Sequence, residues 1–108
     1  MTFQEAVEFI RPAVIPSSGV WADIGAGTGL FSQALLEILD NGKVFSVDKS
    51  PHALYKINPP AKNELVIIEG DFQKPLFLPS LDGIIMANAL HYAYSNDRRE
   101  SSKSDDHL

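Results

Sequence analysis

Val20-Trp21-Ala22-Asp23-Ile24-Gly25-Ala26-Gly27-Thr28-Gly29-Leu30 is the stretch that decides how this chain folds. A short apolar run holding Val20, Trp21 and Ile24 leads into three glycines at alternate positions, Gly25, Gly27 and Gly29. The residues that follow carry a helical apolar pattern. A strand, a glycine-rich turn and a helix in that order make a ligand cradle. Without a Cβ the backbone turns tightly and a ligand can come close to it. The helix start adds unpaired N–H groups at the positive end of its dipole. The spacing narrows the ligand. A dinucleotide fingerprint G-x-G-x-x-G counted from Gly25 needs glycine at position 30, where Leu30 stands. The third glycine comes one residue early, so the pattern is D-x-G-x-G-x-G, Asp23 through Gly29.

Outward from this stretch, the chain reads as alternating strands and helices. Thr2-Phe3-Gln4-Glu5 fits a capping box, and Phe3, Ala6, Val7 and Ile10 fall on one helical face, so a covering helix precedes the first strand. The first strand, 20–24, is apolar enough to be buried on both faces. A helix over 30–39 carries Leu30, Phe31, Ala34, Leu35, Ile38 and Leu39 as a broad apolar stripe. Asp40-Asn41-Gly42 ends it with Asn or Gly in the left-handed position. A second strand runs over 43–47 with Asp48 at its end. Ser50-Pro51 starts a second helix, Ser as cap and Pro at the first helical position, and Pro59-Pro60 ends it. A third strand is expected over 65–68, then a proline-punctuated loop over 75–79, then a fourth strand over 81–87. From Ser95 onward one residue in fourteen is apolar, a composition that cannot offset the entropy of ordering. The expectation is one partial domain, 1–94, and a disordered polar tail, 95–108.

The chain has 108 residues, 44% apolar and 21% charged, which suits one small globular domain. The net charge of −5 makes nucleic acid an improbable partner, with Lys56 and Lys62 offering only a weak local basic face. The absence of cysteine excludes disulfides, thiolate metal sites and a cysteine nucleophile. No His/Asp/Glu grouping has metal-ligand spacing, so no metal is expected. The acidic N-terminus is unlike a secretory signal, and no window is apolar enough to span a bilayer. A cytoplasmic protein with no membrane contact is the default.

Strand–helix alternation predicts a parallel α/β sheet with right-handed crossovers. Ligands in such sheets bind beyond the carboxyl ends of the strands, where the strand order reverses. Asp23, Asp48 with Lys49 beside it, Asp71-Phe72 and Asn88 all stand at such ends. Asp48 lies 23 residues after Gly25, the distance at which an acid accepts hydrogen bonds from a ribose 2′-hydroxyl. A carboxylate suits vicinal hydroxyls because it can accept from both at once.

These motifs together resemble the class I, Rossmann-like S-adenosylmethionine-dependent methyltransferases. The resemblance implies that S-adenosylmethionine is the cofactor, with Gly25, Ala26, Gly27 and Gly29 forming the turn against its amino-acid tail. It implies that Asp23 organises the methionine end, directly or through water, near its amino group; an acid that simply hydrogen-bonds the amides of the glycine turn is the plainer alternative, and the two roles are compatible. It implies that Asp71 accepts from the adenine amine, that the Phe72 backbone N–H meets a ring nitrogen, and that Asn88 faces the methyl group. Asn88-Ala89-Leu90-His91-Tyr92 looks like the post-strand segment of family members acting on small molecules. The Asn-Pro-Pro-aromatic motif of nitrogen methyltransferases is absent at this point, and Asn58-Pro59-Pro60 follows the wrong element to replace it. His91 is a weak candidate for a general base. The reaction would be in-line transfer of a methyl group to an acceptor that these motifs do not identify.

The resemblance runs from Phe3 to Tyr94. Family domains have seven strands, ordered 3-2-1-4-5-7-6, and this chain supplies the first four, in the order 3-2-1-4. Strand four would then be an edge carrying Ile84, Ile85 and Met86, open to a second copy or a partner chain. Two alternatives stand beside a methyltransferase: a non-catalytic cofactor-binding remnant, and a nicotinamide-dependent oxidoreductase, which Leu30 disfavours.

Overall fold

The structure is a computed structural model that describes residues 1–71 and 73–87. Four parallel strands, β1 (Val20–Ile24), β2 (Lys43–Asp48), β3 (Glu64–Glu69) and β4 (Gly83–Ile85), form one sheet in the order β3-β2-β1-β4. The strand order reverses between β1 and β4. Asp23 of β1 has Ser46 of β2 on one side and Ile85 of β4 on the other.

Helix α1 (Phe3–Ile10) opens on the capping box read from the sequence: Glu5 N donates to Thr2 Oγ1 at 3.1 Å and Thr2 N to Glu5 Oε1 at 2.8 Å. Ala6, Val7 and Ile10 are buried, whereas Phe3, expected on the same face, stays 40% exposed. It lies in the first turn, where it rims a shallow cavity with Leu36 and Ile57.

Helix α2 (Leu30–Ile38) packs against α1 and the sheet. Its buried residues are Ser32, Ala34, Leu35 and Leu36, followed by Leu39 just past its end. Leu30, Phe31 and Ile38 are only partly buried. The face turned inward is therefore rotated towards Ser32 and Leu36, four residues apart, relative to the stripe expected from apolar residues alone. The helix ends at Leu39, whose backbone is extended at φ −72° and ψ 157°, so the expected left-handed cap does not form there; Asn41, two residues on, is left-handed at φ 58° in the turn that leads to β2. Asn63 then closes it from a distance. Its side-chain amide donates to the carbonyls of Leu36 and Leu39, both at 2.7 Å, and its oxygen accepts from Gly42 N at 2.7 Å.

The second helix differs from expectation. Pro51–Lys56 is a 3-10 helix, and Ser50 makes no side-chain capping bond. Seven residues between Ser50 and the Asn58-Pro59-Pro60 segment are too few to sustain α-helical propagation. β4 is shorter than the expected 81–87. Asp82 turns back on β1, accepting from Val20 N and donating its own N–H to Val20 O, each at 2.7 Å, and this fixes where pairing begins.

The two faces of the sheet are covered differently. On one, Trp21 and Val44 meet α1, α2 and Val14. On the other, Ala22, Ile24, Phe45 and Val47 are covered by Leu76, Leu78 and Leu81 of the β3–β4 connection, while Phe77 between them is 98% exposed. β4 is the outer strand beside β1, with Ile84 53% exposed. No described helix is long and apolar enough to cross a membrane. The proposed tail from Ser95 and the segment from Asn88 to Tyr94 lie outside the described residues.

Trp21 and Gly83 are register partners on β1 and β4. A Cβ at Gly83 would lie 2.3 Å from Trp21 Cη2 and 2.4 Å from Cζ3. An indole ring cannot yield as a flexible chain would, so Gly83→Ala should destabilise the fold by about 1–3 kcal/mol. Trp21→Phe placed with it should recover part of that loss, a coupling that a double-mutant cycle in urea would read. Additive losses would show that the ring does not set the requirement for glycine.

Candidate functional site

The site is built where the tips of β1, β2 and β3 are tied together. Gly25 N and Ala26 N both donate to Val47 O, at 2.8 and 2.9 Å. Gly27 N donates to Asp48 Oδ1 at 3.0 Å, and Gly70 N donates to Asp48 O at 3.0 Å. The three turn glycines, Gly25, Gly27 and Gly29, have φ of 72°, 59° and 91°. At Gly29 there is a second restriction: a Cβ would lie 2.7 Å from Ile57 Cδ1. That glycine lets the start of α2 pack against the segment after Pro51, whereas Gly25 and Gly27 shape the turn itself.

Helix α2 begins at Gly29 with no side-chain cap and no acid in its first turn. The positive end of its dipole is therefore not neutralised by its own residues. The Asp48 carboxylate sits beside it, half-buried, with Oδ1 on Gly27 N and Oδ2 accepting from Ser50 N at 3.0 Å. Each oxygen of a carboxylate has two lone pairs, so one on each remains for hydroxyl donors. Lys49 is exposed.

Asp23 is placed differently from Asp48. It is 2% exposed, and its Oδ2 accepts from Ser32 Oγ at 2.7 Å. Ser32 Oγ is in turn hydrogen-bonded to Ser46 Oγ. Of the two arrangements the sequence offered for Asp23, bonding to the amides of the glycine turn is the part Asp48 plays; Asp23 lies beneath the turn. Burial pushes the Asp23 carboxyl up to about 6, hydrogen bonds from the Ser32 side chain and main chain oppose the rise, and the Asp48 charge adds to it.

Asp71 follows β3 and is half-buried; its Oδ1 accepts from Gln73 N at 2.9 Å and its carbonyl from Lys74 N at 3.0 Å, a local turn that fixes its position. Asp23, the glycine turn, Asp48 and Asp71 thus come together at the carboxyl edge of three adjacent strands. Phe72, Asn88 and His91 lie outside the described residues. Ser32 and Ser46 were missed by sequence reading. The available signal was a serine inside the apolar run Lys43-Val44-Phe45-Ser46-Val47.

A buried carboxyl that holds its proton to higher pH than it does unfolded makes the folded state bind more protons between about 3.8 and about 6. The contribution of Asp23 to stability is then greatest below that window and is lost as pH rises through it. Asp23→Asn removes the charge while keeping an acceptor for Ser32. It should be more stable than the wild type by about 1–3 kcal/mol at pH 7.5, with a smaller gap at pH 4.5. Urea unfolding at both pH values checks this; a gap independent of pH would show that Asp23 is not the titrating group.

Comparison with known proteins places this geometry. The FtsJ-like methyltransferase family model matches residues 3–95. The chain is 35% identical over 86 residues to 2-methyl-6-phytyl-1,4-hydroquinone methyltransferase 1, chloroplastic, of Oryza sativa subsp. japonica, a match covering 77% of this chain and 26% of the rice protein. A solved structure of a candidate RNA methyltransferase from Pyrococcus horikoshii superposes with a TM-score of 0.51 at 24% identity, over 78% of this chain and 43% of that one. At that identity the likeness is one of fold. The chain thus spans about a quarter of its rice relative and less than half of the archaeal structure. With a glycine turn laced to the neighbouring strand tips and a family match over most of its length, the chain belongs to the FtsJ-like methyltransferase family, within the class I Rossmann-like methyltransferases.

Proposed function

We propose that this chain binds S-adenosylmethionine across the tips of β1, β2 and β3 and serves methyl transfer to a small-molecule acceptor. The observation that carries the proposal is the lacing of those tips. Gly27 N and Asp48 meet at 3.0 Å, so the turn suited to an amino-acid tail and the carboxylate suited to a ribose are held side by side.

The residues present fit such a cofactor. Asp48 would take the ribose hydroxyls on its two remaining lone pairs, and a 2′-phosphate would be repelled. The uncapped start of α2 would face the cofactor carboxylate. Asp23, buried under the turn, would compensate the ammonium group. Asp71 would accept from the adenine amine, with Gly70 holding it beside Asp48. Phe72 is assigned to the base and Asn88 to the methyl end by position in the chain. When bound, the sulfonium supplies an activated methyl group. The protein contributes alignment and exclusion of water, so no compact set of acid and base residues is required, and His91 is at most a local base.

A small-molecule acceptor agrees with the charge of the chain and with the name of the rice relative, a hydroquinone methyltransferase. Nine basic against fourteen acidic residues give a net charge of −5, which disfavours a phosphate backbone as partner.

Calorimetric titration with S-adenosylhomocysteine should show one site. Asp48→Ala removes charge-assisted acceptors and loosens the turn at Gly27, and should weaken binding about 10- to 100-fold. Equal affinity in the two proteins would defeat the ribose assignment. NADH should not compete, and a methyl-transfer assay with labelled cofactor and small phenolic acceptors separates an enzyme from a protein that only binds.

A further inference from the structure

Three polar side chains are buried at or below 2% exposure among the described residues: Asp23, Ser32 and Ser46. They come from β1, α2 and β2, and they touch one another. Asp23 and Ser46 are register partners on adjacent strands, and Ser32 stands over both from the first turn of α2. Burying a hydroxyl costs about 1–3 kcal/mol unless it is hydrogen-bonded. Alanine would fill either serine position on this apolar floor without that cost. Packing alone therefore does not account for two serines here.

The direction of the bonds follows from counting protons. A serine hydroxyl has a single hydrogen. Ser32 gives its hydrogen to Asp23 Oδ2 at 2.7 Å. While Asp23 is ionised, the contact of Ser32 with Ser46 must use a lone pair, which makes Ser46 the donor. Both hydroxyl dipoles point their positive ends towards the carboxylate, and each bond polarises the next. Such a relay favours Asp23 as an anion against the burial that disfavours it.

We propose that Ser32 and Ser46 are positioning residues for the cofactor: their hydroxyls form a buried relay that fixes the Asp23 carboxylate beneath the glycine turn and holds it ionised to meet an ammonium group. This rests on the chain binding an adenosyl amino acid at that turn. The groups around Asp23 are few. β2 presents Ser46 and, at its end, the Asp48 carboxylate; α2 presents Ser32 and the positive end of its dipole; β4 presents Ile85 beside it. Among the described residues Asp48 is the charged group acting on Asp23, and it acts against ionisation. The serines and the α2 start are thus what oppose protonation.

The relay predicts a pH signature that a space-filling role does not. S-adenosylhomocysteine, which carries the same ammonium group, is titrated calorimetrically from pH 5 to 8.5 into the wild type, Ser46→Ala and Ser32→Ala. The Asp23 carboxyl is followed in parallel by carbon NMR without ligand. At pH 8.5 the three proteins should agree within about 2-fold, because Asp23 is ionised in all of them. At pH 6.5 Ser46→Ala should bind about 3-fold more weakly than wild type and Ser32→Ala about 10-fold. The Asp23 titration should move to higher pH in the same order. Superimposable pH profiles, or a loss of affinity equal at every pH, would overturn the relay while leaving cofactor binding intact. Absence of binding to the wild type at every pH would instead overturn the cofactor assignment, and the relay with it. Ser46→Ala leaves the strand ladder untouched and decides the matter alone should Ser32→Ala fail to fold.

Discussion

A single carbonyl sets the geometry of this molecule. Val47 O accepts both Gly25 N and Ala26 N. Two successive amides can converge on one oxygen only if the chain leaves β1 in a tight turn, and the positive φ at Gly25 provides it. The turn is thereby fixed to the end of β2 as well as to its own strand. Asp48, the next residue along β2, is brought to Gly27, and its carbonyl receives Gly70 from the end of β3. Three strand ends that are remote in sequence become one rigid rim. Without that double acceptance the glycines would be a loose loop, and the acids of β2 and β3 would have no fixed relation to it.

The rim carries an electrostatic tension. Asp23 and Asp48 are both acids near the same turn, one buried and one half-exposed, and the Asp48 charge adds to the burial that disfavours ionisation of Asp23. A chain under selection for stability alone would replace the buried one. It lies under an α2 start that has no side-chain cap. Two negative groups flanking a bare helix terminus match a zwitterionic amino acid, whose carboxylate and ammonium need opposite partners within a few ångströms. On the proposed cofactor assignment, stability and recognition oppose each other at Asp23.

Much of this was legible in the sequence. The four strands, their order and the capping box at Thr2 followed from apolar runs, glycine spacing and family resemblance. Asp48 could be placed at a strand end because Lys43-Val44-Phe45-Ser46-Val47 is a bounded apolar run with one interruption. That interruption was the clue left unread. Beyond that, nothing local marks Ser46 within its strand or Ser32 within its helix. Their meaning depends on the rotation of α2, which is set by packing against α1 and not by the periodicity of α2 itself. Likewise the Gly27–Asp48 bond spans twenty-one positions, and nothing local announces it. Ser50-Pro51 opens a 3-10 helix and not an α-helix, because start signals say nothing about how much chain remains to propagate a helix.

Asn63 ties this architecture into one folding unit. The carbonyls that end α2 receive their donors from a side chain that arrives only with the approach to β3, more than twenty positions later. Until that lead-in is in place, water serves those carbonyls. Once it is, one amide takes over from the solvent and fastens the end of α2 to the start of β3. A side chain well away from the strand tips thus joins the first crossover to the second.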